Sequence, residues 1–272
     1  MSKIIDFESP PVVETVVGVQ FERIATLRSA HLGTFWKSLG SNWPAVNDAP
    51  PLAEEFEHFD EAARFVTGFQ VQFSNDPSVR LMIKNHEKDR LIQLQNGRLH
   101  VNWLGSAGGP YTEYDRVRAE FEEIWARFTE FVVHEFEKPP KPNQWEVTYV
   151  NLIPRETVWD DVSRFSKAFS FLGDSLSVPC GPLERISTEL HFEIAPQRGR
   201  LHVQFGHGVT SDDRGEAVNL TLTARGPIAG ESANAIAEGL DCGRDAIVRA
   251  FHALTTDEAR NTWGEKNVGS SR

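Results

Sequence analysis

One order of structural signals recurs along the chain, and this internal repetition constrains the fold more than any single motif. Gly40 ends an apolar helical stretch, and Gly173 ends another one 133 positions later. The pentapeptide Gly-Arg-Leu-His-Val occurs at residues 97–101 and again at residues 199–203. We therefore predict an α+β protein made by tandem duplication of one unit. Each unit contains a strand, a helix, three or four antiparallel strands and a long helix.

The first unit begins with a run rich in β-branched residues at 12–21, which is typical of a strand buried on both faces. Apolar residues at helical spacing predict a short helix over 32–39 and a long helix over 114–132. Strand patterns lie at 69–73 and 81–84. The first unit is thus predicted to combine antiparallel strands with two helices that cover their apolar face.

Asn96 and Gly97 stand between two alternating runs, which is the strongest short-range signal for a β-hairpin. A two-residue type I′ turn needs positive φ angles at both positions, and these residue types tolerate them. The turn implies one register, in which the apolar side chains share one face. That register pairs Gln95 with Arg98, Leu94 with Leu99, Gln93 with His100, and Ile92 with Val101.

Three prolines within residues 139–142 end the first long helix, because proline cannot continue a helix. They mark the best candidate for a boundary in the chain. We predict a first repeat at residues 1–142, a second repeat at residues 143–264 and a disordered tail at residues 265–272.

The second repeat shows the same order of patterns. Gly239 and Gly243 lie four residues apart in its last helix, which predicts that a neighbouring element closely approaches the helix backbone. The order of elements is similar to one half of the TATA-binding-protein-like fold, an analogy of architecture that carries no evidence of DNA binding. The predicted elements are a strand at 145–153, a short helix over 162–172, strands at 190–194, 201–205 and 218–223, and a helix from residue 232.

Composition excludes several functional classes. The net charge is −11, divided into −6 and −5 between residues 1–143 and 144–272, and no run of basic residues is present, so nucleic-acid binding is not expected. Cys180 and Cys242 stand too far apart for a zinc-finger pattern or a disulfide scaffold, and they favour a reducing cytoplasm. No stretch approaches the roughly 18 apolar residues of a membrane span, so no membrane association is expected.

Several segments resemble a sporadically distributed, functionally uncharacterised bacterial protein family of about this length. The resemblance spans nearly the whole chain and is clearest at residues 10–14, 30–33, 142–151 and 251–259. The family has no assigned activity, so the resemblance implies no catalytic residue and no cofactor. Its patchy distribution is typical of defence-linked or toxin-antitoxin-like operons, which implies a protein partner encoded nearby.

No signature of a known reaction occurs: the chain has no P-loop, no dinucleotide-binding glycine pattern, no HExxH and no GxSxG. The residues therefore do not determine whether the protein is an enzyme, and they indicate no cofactor. His191, Glu193 and His202 are a possible set of metal ligands if their strands pair. Strand alternation puts polar residues on such a face in any case, so we predict no metal site.

Glu14 and Glu146 occupy equivalent positions in the two opening strands. Brought together, they would form a carboxylate dyad that shares a proton. The alternative, in which each glutamate is exposed or pairs with an arginine, is favoured because buried carboxylates are usually paired.

The strand positions that face away from the predicted core are rich in amides and histidines. Such side chains both donate and accept hydrogen bonds, and they lose water at a lower cost than charges do. We therefore predict a non-enzymatic binding protein that engages a protein partner, or another copy of itself, through this polar face. The alternative is an enzyme or small-molecule sensor with a pocket between sheet and helices. The predicted binding residues are Gln70, Gln72, Gln93, Gln95, His100 and Asn102 in the first repeat, and Glu189, His191, Glu193, His202 and Gln204 in the second.

Overall fold

A computed structural model describes residues 5–59, 79–105, 111–173, 177–179, 181–210, 215–228, 230 and 234–267. The protein is α+β, as the patterns predict. The strand predicted at 69–73 lies outside the described residues.

The elements of the first half follow the predicted order. Ala45–Ala49, for which the sequence patterns predicted no strand, forms an edge strand because it pairs with Arg80–Lys84. The elements are β1 (Ile5–Phe7), β2 (Val12–Phe21), α1 (Ser29–Ser38), β3 (Ala45–Ala49), β4 (Arg80–Lys84), β5 (Arg90–Gln95), β6 (Arg98–Leu104) and α2 (Tyr114–Phe136).

The first strand of the second half starts at Pro142, which the prediction assigned to the end of the first repeat. Its elements are β7 (Pro142–Pro154), a 3₁₀ helix (Val162–Lys167), β8 (Ser177–Val178), β9 (Gly181–Pro182), β10 (Ser187–Glu193), β11 (Arg200–Val209), β12 (Glu216–Pro227), α3 (Ala235–Leu254), α4 (Asp257–Thr262) and β13 (Glu265–Asn267).

Among the described residues, nine strands form one antiparallel sheet in the order β10-β11-β12-β7-β2-β6-β5-β4-β3. The two opening strands, β2 and β7, pair at its centre, with Val17 opposite Val147 and Val19 opposite Trp145. The two predicted repeats therefore share one sheet. The order β7-β12-β11-β10 on one side mirrors β2-β6-β5-β4 on the other. That this symmetry reflects a duplicated sequence, or a likeness to the TATA-binding-protein fold, stays a prediction.

The repeated pentapeptide does not mark equivalent positions of the two halves. Residues 97–101 lead into β6, which lies beside the central strand β2. Residues 199–203 lead into β11, which is separated from β7 by β12. The pentapeptide is therefore not a sign of duplication, although both copies open a strand and direct an arginine and a histidine to the same side of the sheet.

Two further expectations are corrected. The short helix of the second half is a 3₁₀ helix that ends at Lys167, with a non-helical backbone at Arg164, so Gly173 does not end it as Gly40 ends α1. The predicted disordered tail is wrong for Glu265–Asn267, because this segment pairs with β1. The rest of that tail, residues 268–272, lies outside the described residues.

The predicted hairpin and its register are confirmed, but the turn is not of type I′, because Asn96 does not have the positive φ angle that this type needs. Gly97 has a φ angle of +104°, which a glycine adopts without strain. β5 and β6 pair in the predicted register, with Gln95 opposite Arg98 and Gln93 opposite His100.

One face of the sheet is apolar and is covered by helices. α2 and α3 lie on this face, and α1 packs on α2, with the ring of Phe35 5.3 Å from that of Phe128. Phe21 of β2 also contacts Phe128 at 5.5 Å between ring centroids, which joins the sheet to both helices. Among the described residues, no helix combines the length and the apolar character that crossing a membrane requires.

Gly239 and Gly243 confirm the predicted close approach. A Cβ atom on Gly239 would lie 2.2 Å from the ring of Trp145, and one on Gly243 would lie 2.6 Å from it. The indole of β7 thus fills the space that side chains would otherwise occupy on α3.

Replacing Gly239 by alanine should lower the free energy of unfolding by about 1–3 kcal/mol, because a methyl group would overlap the Trp145 ring in a packed core. Gly33 in α1 is the matched control, since a Cβ there meets nothing within 4 Å. Gly33→Ala should raise stability by up to about 1 kcal/mol through helix propensity. Urea unfolding of both variants measures the effects, and equal stabilisation by the two substitutions would contradict the packing described.

Candidate functional site

The other face of the sheet is polar, and an irregular segment of the chain crosses it. Residues 50–59, here called the crossing segment, follow the edge strand β3. They contact side chains of β5, β6, β2, β7, β12 and β11 in turn, which is the order of these strands in the sheet.

The first part of the crossing segment forms backbone hydrogen bonds with side chains of the first half. Gln95 accepts from the backbone N–H of Leu52 at 2.8 Å and donates to its carbonyl at 2.9 Å. Arg98 donates to the carbonyl of Ala53 at 3.1 Å and to Gln20 at 2.9 Å. These side chains therefore satisfy a stretch of backbone that has no strand partner among the described residues.

The second part of the crossing segment forms ion pairs with the second half. Glu55 pairs with Arg225 of β12. Glu57, whose side chain is only 4% exposed, lies 3.2 Å from Arg200 and 2.7 Å from His202 of β11. The acidic side chains of the crossing segment thus neutralise arginines of the sheet.

In each copy of the pentapeptide, the arginine and the histidine lie close to one glutamate from another segment of the chain. Arg98 and His100 lie 3.7 and 3.6 Å from Glu146 of β7, as Arg200 and His202 lie close to Glu57. An arginine and a histidine two positions apart in a strand point to the same side, so both reach one carboxylate. Arg225 lies between the two groups, with its Nε 3.2 Å from Glu146 and 3.9 Å from Glu57. We call these residues the ion network: Arg98, His100, Glu146, Arg225, Glu57, Arg200 and His202.

Burial governs protonation in the ion network. It raises the pKa of Glu146, an effect that the nearby Arg98 opposes. Burial, reinforced by the charges of Arg98 and Arg80, holds the pKa of His100 well below its ordinary value. His100 is therefore neutral at pH 7. Its ring lies against Gly18, where a Cβ would come within 2.2 Å of Cδ2, so this strand position needs glycine.

The first-repeat residues that were predicted to bind a partner do not form an open surface. Gln95, His100 and Asn102 are buried, and Gln93 is partly buried. Gln93 accepts from Arg80 at 2.9 Å and donates to Asn102 at 3.2 Å. The expectation is corrected because contacts within the chain already use these side chains. Gln70 and Gln72 lie outside the described residues.

The predicted residues of the second repeat remain accessible. Glu189, His191 and Gln204 are exposed and His202 is partly buried, whereas Glu193 accepts a hydrogen bond from the backbone of Gln197 at 2.8 Å. A bond from His191 holds the pKa of Glu189 below its usual range. A shallow depression of about 460 Å³ lies on this side and includes Glu189, Gln204, Asn219 and Thr221. We call the accessible part of the sheet the open face: Glu189, His191, Gln204, Asn219 and Thr221.

The hypothesis of a carboxylate dyad is wrong. Glu14 lies opposite Val150 and Glu146 lies opposite Gly18, four positions apart on the β2–β7 ladder. Glu146 lies among arginines, as the favoured alternative expected, whereas Glu14 accepts a hydrogen bond from Asn102 at 2.6 Å and pairs with no arginine among the described residues.

Sequence patterns missed the acidic residues of the crossing segment and the arginines of the polar face. Glu55 and Glu57 lie in a short acidic stretch without helical or strand periodicity. The available signal was the Arg-x-His spacing of the repeated pentapeptide, which places two basic groups on one side of a strand.

A narrow pocket of about 50 Å³ lies on the other side of the sheet, between the sheet and α3. Its polar lining includes Tyr111, Tyr149, Asn151 and Arg244. Burial raises the pKa of both phenols. Among the described residues, the Asn151 Oδ1 and Arg244 Nε atoms are buried without a hydrogen-bond partner. This pocket corresponds in position to the alternative site predicted between sheet and helices.

No family model matches the chain, and no curated protein or solved structure is significantly similar to it. The resemblance to a bacterial family stays a prediction. Among the described residues, the open face and the pocket beside α3 are the candidate sites that correspond to the sequence-based predictions.

Stability should fall as the pH is lowered below about 6.5, because folding keeps His100 neutral whereas the unfolded chain protonates it. The pKa of His100 is lower in the folded state than in the unfolded state. The folded state therefore loses stability relative to the unfolded state as the pH falls below the unfolded pKa. The loss is at most about 1.4 kcal/mol per pH unit for one proton. His100→Gln should make the dependence shallower between pH 6.5 and 5, as measured by urea unfolding. The exposed His134 gives the control variant His134→Gln, and curves for His100→Gln parallel to the wild type would contradict the assignment.

Proposed function

We propose that this chain is a non-enzymatic binding protein that engages a protein partner through its open face. The observation that carries the proposal is that the polar side chains of the two halves differ in their accessibility to solvent. In the first half, buried contacts use the polar side chains, whereas in the second half Gln204 and Asn219 remain exposed.

The chemistry of the open face suits a protein surface. Amide, hydroxyl and imidazole groups both donate and accept, and burying them costs less than burying charges. Thr221 already donates to Asn219 at 2.8 Å, which orients the amide at the floor of the depression. Proteins that associate specifically use such polar groups to fix the register of the interface.

The edge of the sheet supports the same proposal. β10 ends the sheet, and within the described ranges no strand pairs with its outer side. Its backbone therefore presents hydrogen-bonding groups beside the open face, and Phe192, on the opposite side of β10, exposes 44% of its surface. A partner that adds a strand to β10 would reach Glu189 and His191 with its side chains.

The charge of the chain argues against nucleic acid as a partner. Three arginines of the polar face, Arg98, Arg200 and Arg225, are paired with glutamates of the chain itself. The net charge of −11 would repel a phosphate backbone.

The proposal is tested with the purified full chain and the purified products of genes adjacent to its own. Asn219→Arg should weaken binding of the cognate partner at least tenfold, because it introduces a long charged side chain into the depression. Asn261→Arg on the exposed side of α4 makes the same chemical change away from the open face and should leave the affinity unchanged. Biolayer interferometry measures both, and equal affinity of wild type and Asn219→Arg would overturn the proposal.

A second function, small-molecule sensing, is supported by the pocket beside α3. Asn151 is 1% exposed, and its Oδ1 accepts no hydrogen bond from the described residues, although its amide donates to the carbonyl of Leu220 at 2.9 Å. A small primary amide would donate to Asn151 and accept from Arg244. The pocket volume of about 50 Å³ has room for only a few non-hydrogen atoms.

A panel of small amides and carboxylic acids should raise the melting temperature of the wild type if this second function holds. Tyr149→Phe should abolish the shift, because it removes a hydroxyl from the pocket. Tyr114→Phe is the matched control, since that hydroxyl bonds to Asp241 at 3.1 Å and does not line the pocket. The absence of a shift with every compound, or equal shifts in both variants, would exclude the pocket as a binding site.

A further inference from the structure

We propose that Glu189, His191 and His202 form a binding site for a divalent transition-metal ion of the Zn²⁺ type. This inference does not depend on the proposed partner. It revises the expectation that the polar face holds no metal, and it replaces Glu193 of the sequence-based set by Glu189.

The three side chains meet because of the β10–β11 register. His191 lies directly opposite His202, and Glu189 stands two positions before His191 on the same side of β10. The imidazole centroids are 4.6 Å apart. One donor atom from each of the three residues lies within 4.8 Å of the others. Donors bound to one Zn²⁺ ion at about 2.0–2.1 Å stand roughly 3.3 Å apart, so small side-chain rotations complete the site.

One pair of donors is already close to the spacing that a shared ion requires. The Nε2 atom of His191 lies 3.0 Å from the Oε1 atom of Glu189. Two imidazoles and one carboxylate are a donor set that borderline metals such as Zn²⁺ bind through three protein ligands, with further positions left to water or substrate. Glu193, whose carboxylate accepts a hydrogen bond from the backbone of Gln197, is not among the residues whose donor atoms meet.

Glu57 of the crossing segment positions His202 for this role. Its Oε1 atom lies 2.7 Å from Nε2 of His202. Because a carboxylate accepts, Nε2 carries the hydrogen, and the lone pair is left on Nδ1 for a metal ion. Arg200 fixes Glu57 from the other side at 3.2 Å. Metal-binding histidines typically have such a carboxylate behind them.

The site is reachable from solvent. The side chains of Glu189 and His191 are 54% and 45% exposed, whereas that of His202 is 18% exposed. An ion would therefore enter over β10 and be held from below by the half-buried His202. The arrangement leaves the outer coordination positions open.

The test uses the full chain after removal of any affinity tag, in a Cys180→Ser, Cys242→Ser background so that neither cysteine thiol binds metal. Isothermal titration with Zn²⁺ should show one equivalent bound. Co²⁺ should give the visible absorption bands of a tetrahedral or five-coordinate site with nitrogen and oxygen ligands. His191→Ala, which removes an exposed side chain, should weaken Zn²⁺ binding at least tenfold.

Four further variants make the result specific. Glu189→Gln should weaken binding at least tenfold, whereas Glu193→Gln, the next carboxylate on the same side of β10, should leave it unchanged. His134→Ala removes an exposed histidine beside Glu135 and should also bind as the wild type does. Glu57→Gln should weaken binding about tenfold while keeping the one-to-one stoichiometry, since it acts through His202.

No stoichiometric binding by the wild type, or wild-type affinity in His191→Ala, would overturn the proposal. Either result would leave the proposal of a protein partner standing, because Asn219→Arg tests that proposal at a different residue. Circular dichroism with chelator present should be identical for wild type and His191→Ala, which separates loss of the site from loss of the fold.

Discussion

The pairing of β2 with β7 is the constraint on which the rest of the structure depends. It joins the two halves into one sheet and aligns their apolar sides, so that Val19 and Trp145 lie opposite each other under the helices. On the other side, the same register sets Gln20 opposite Gln144. Both long helices consequently cover one face, and the two halves share a single polar face that the chain must satisfy by other means.

The crossing segment is the means by which the chain satisfies much of that face. Buried charges are tolerated only when they are paired and hydrogen-bonded, because removing an ion from water costs several kcal/mol. Glu146 alone would leave Arg225 and Arg98 incompletely neutralised, and Glu55 and Glu57 supply the missing negative charges. The polar face thus divides into a part closed by ion pairs and a part that remains accessible on β10, β11 and β12.

His202 lies where these two parts meet. Its ring contacts His191 on the open side and Glu57 of the crossing segment on the closed side. A ligand of the open face is therefore connected to the ion network through one imidazole. This position links both proposals for the open face, a protein partner and a metal ion, to the segment that covers the rest of the sheet.

Local chemistry alone determined the elements whose partners are close in sequence. The Asn96-Gly97 turn set the β5–β6 register, and the apolar spacing defined α2. Two glycines also predicted a close approach to the backbone of α3, but only the tertiary structure showed that Trp145 makes it. Alternation also identified which strand residues face away from the core. Tertiary structure decided which of them stay accessible, because His202 meets Glu57 across 145 positions and no periodicity marks the crossing segment. Pairing between distant residues depends on register and charge in three dimensions, which a pattern along the chain does not contain.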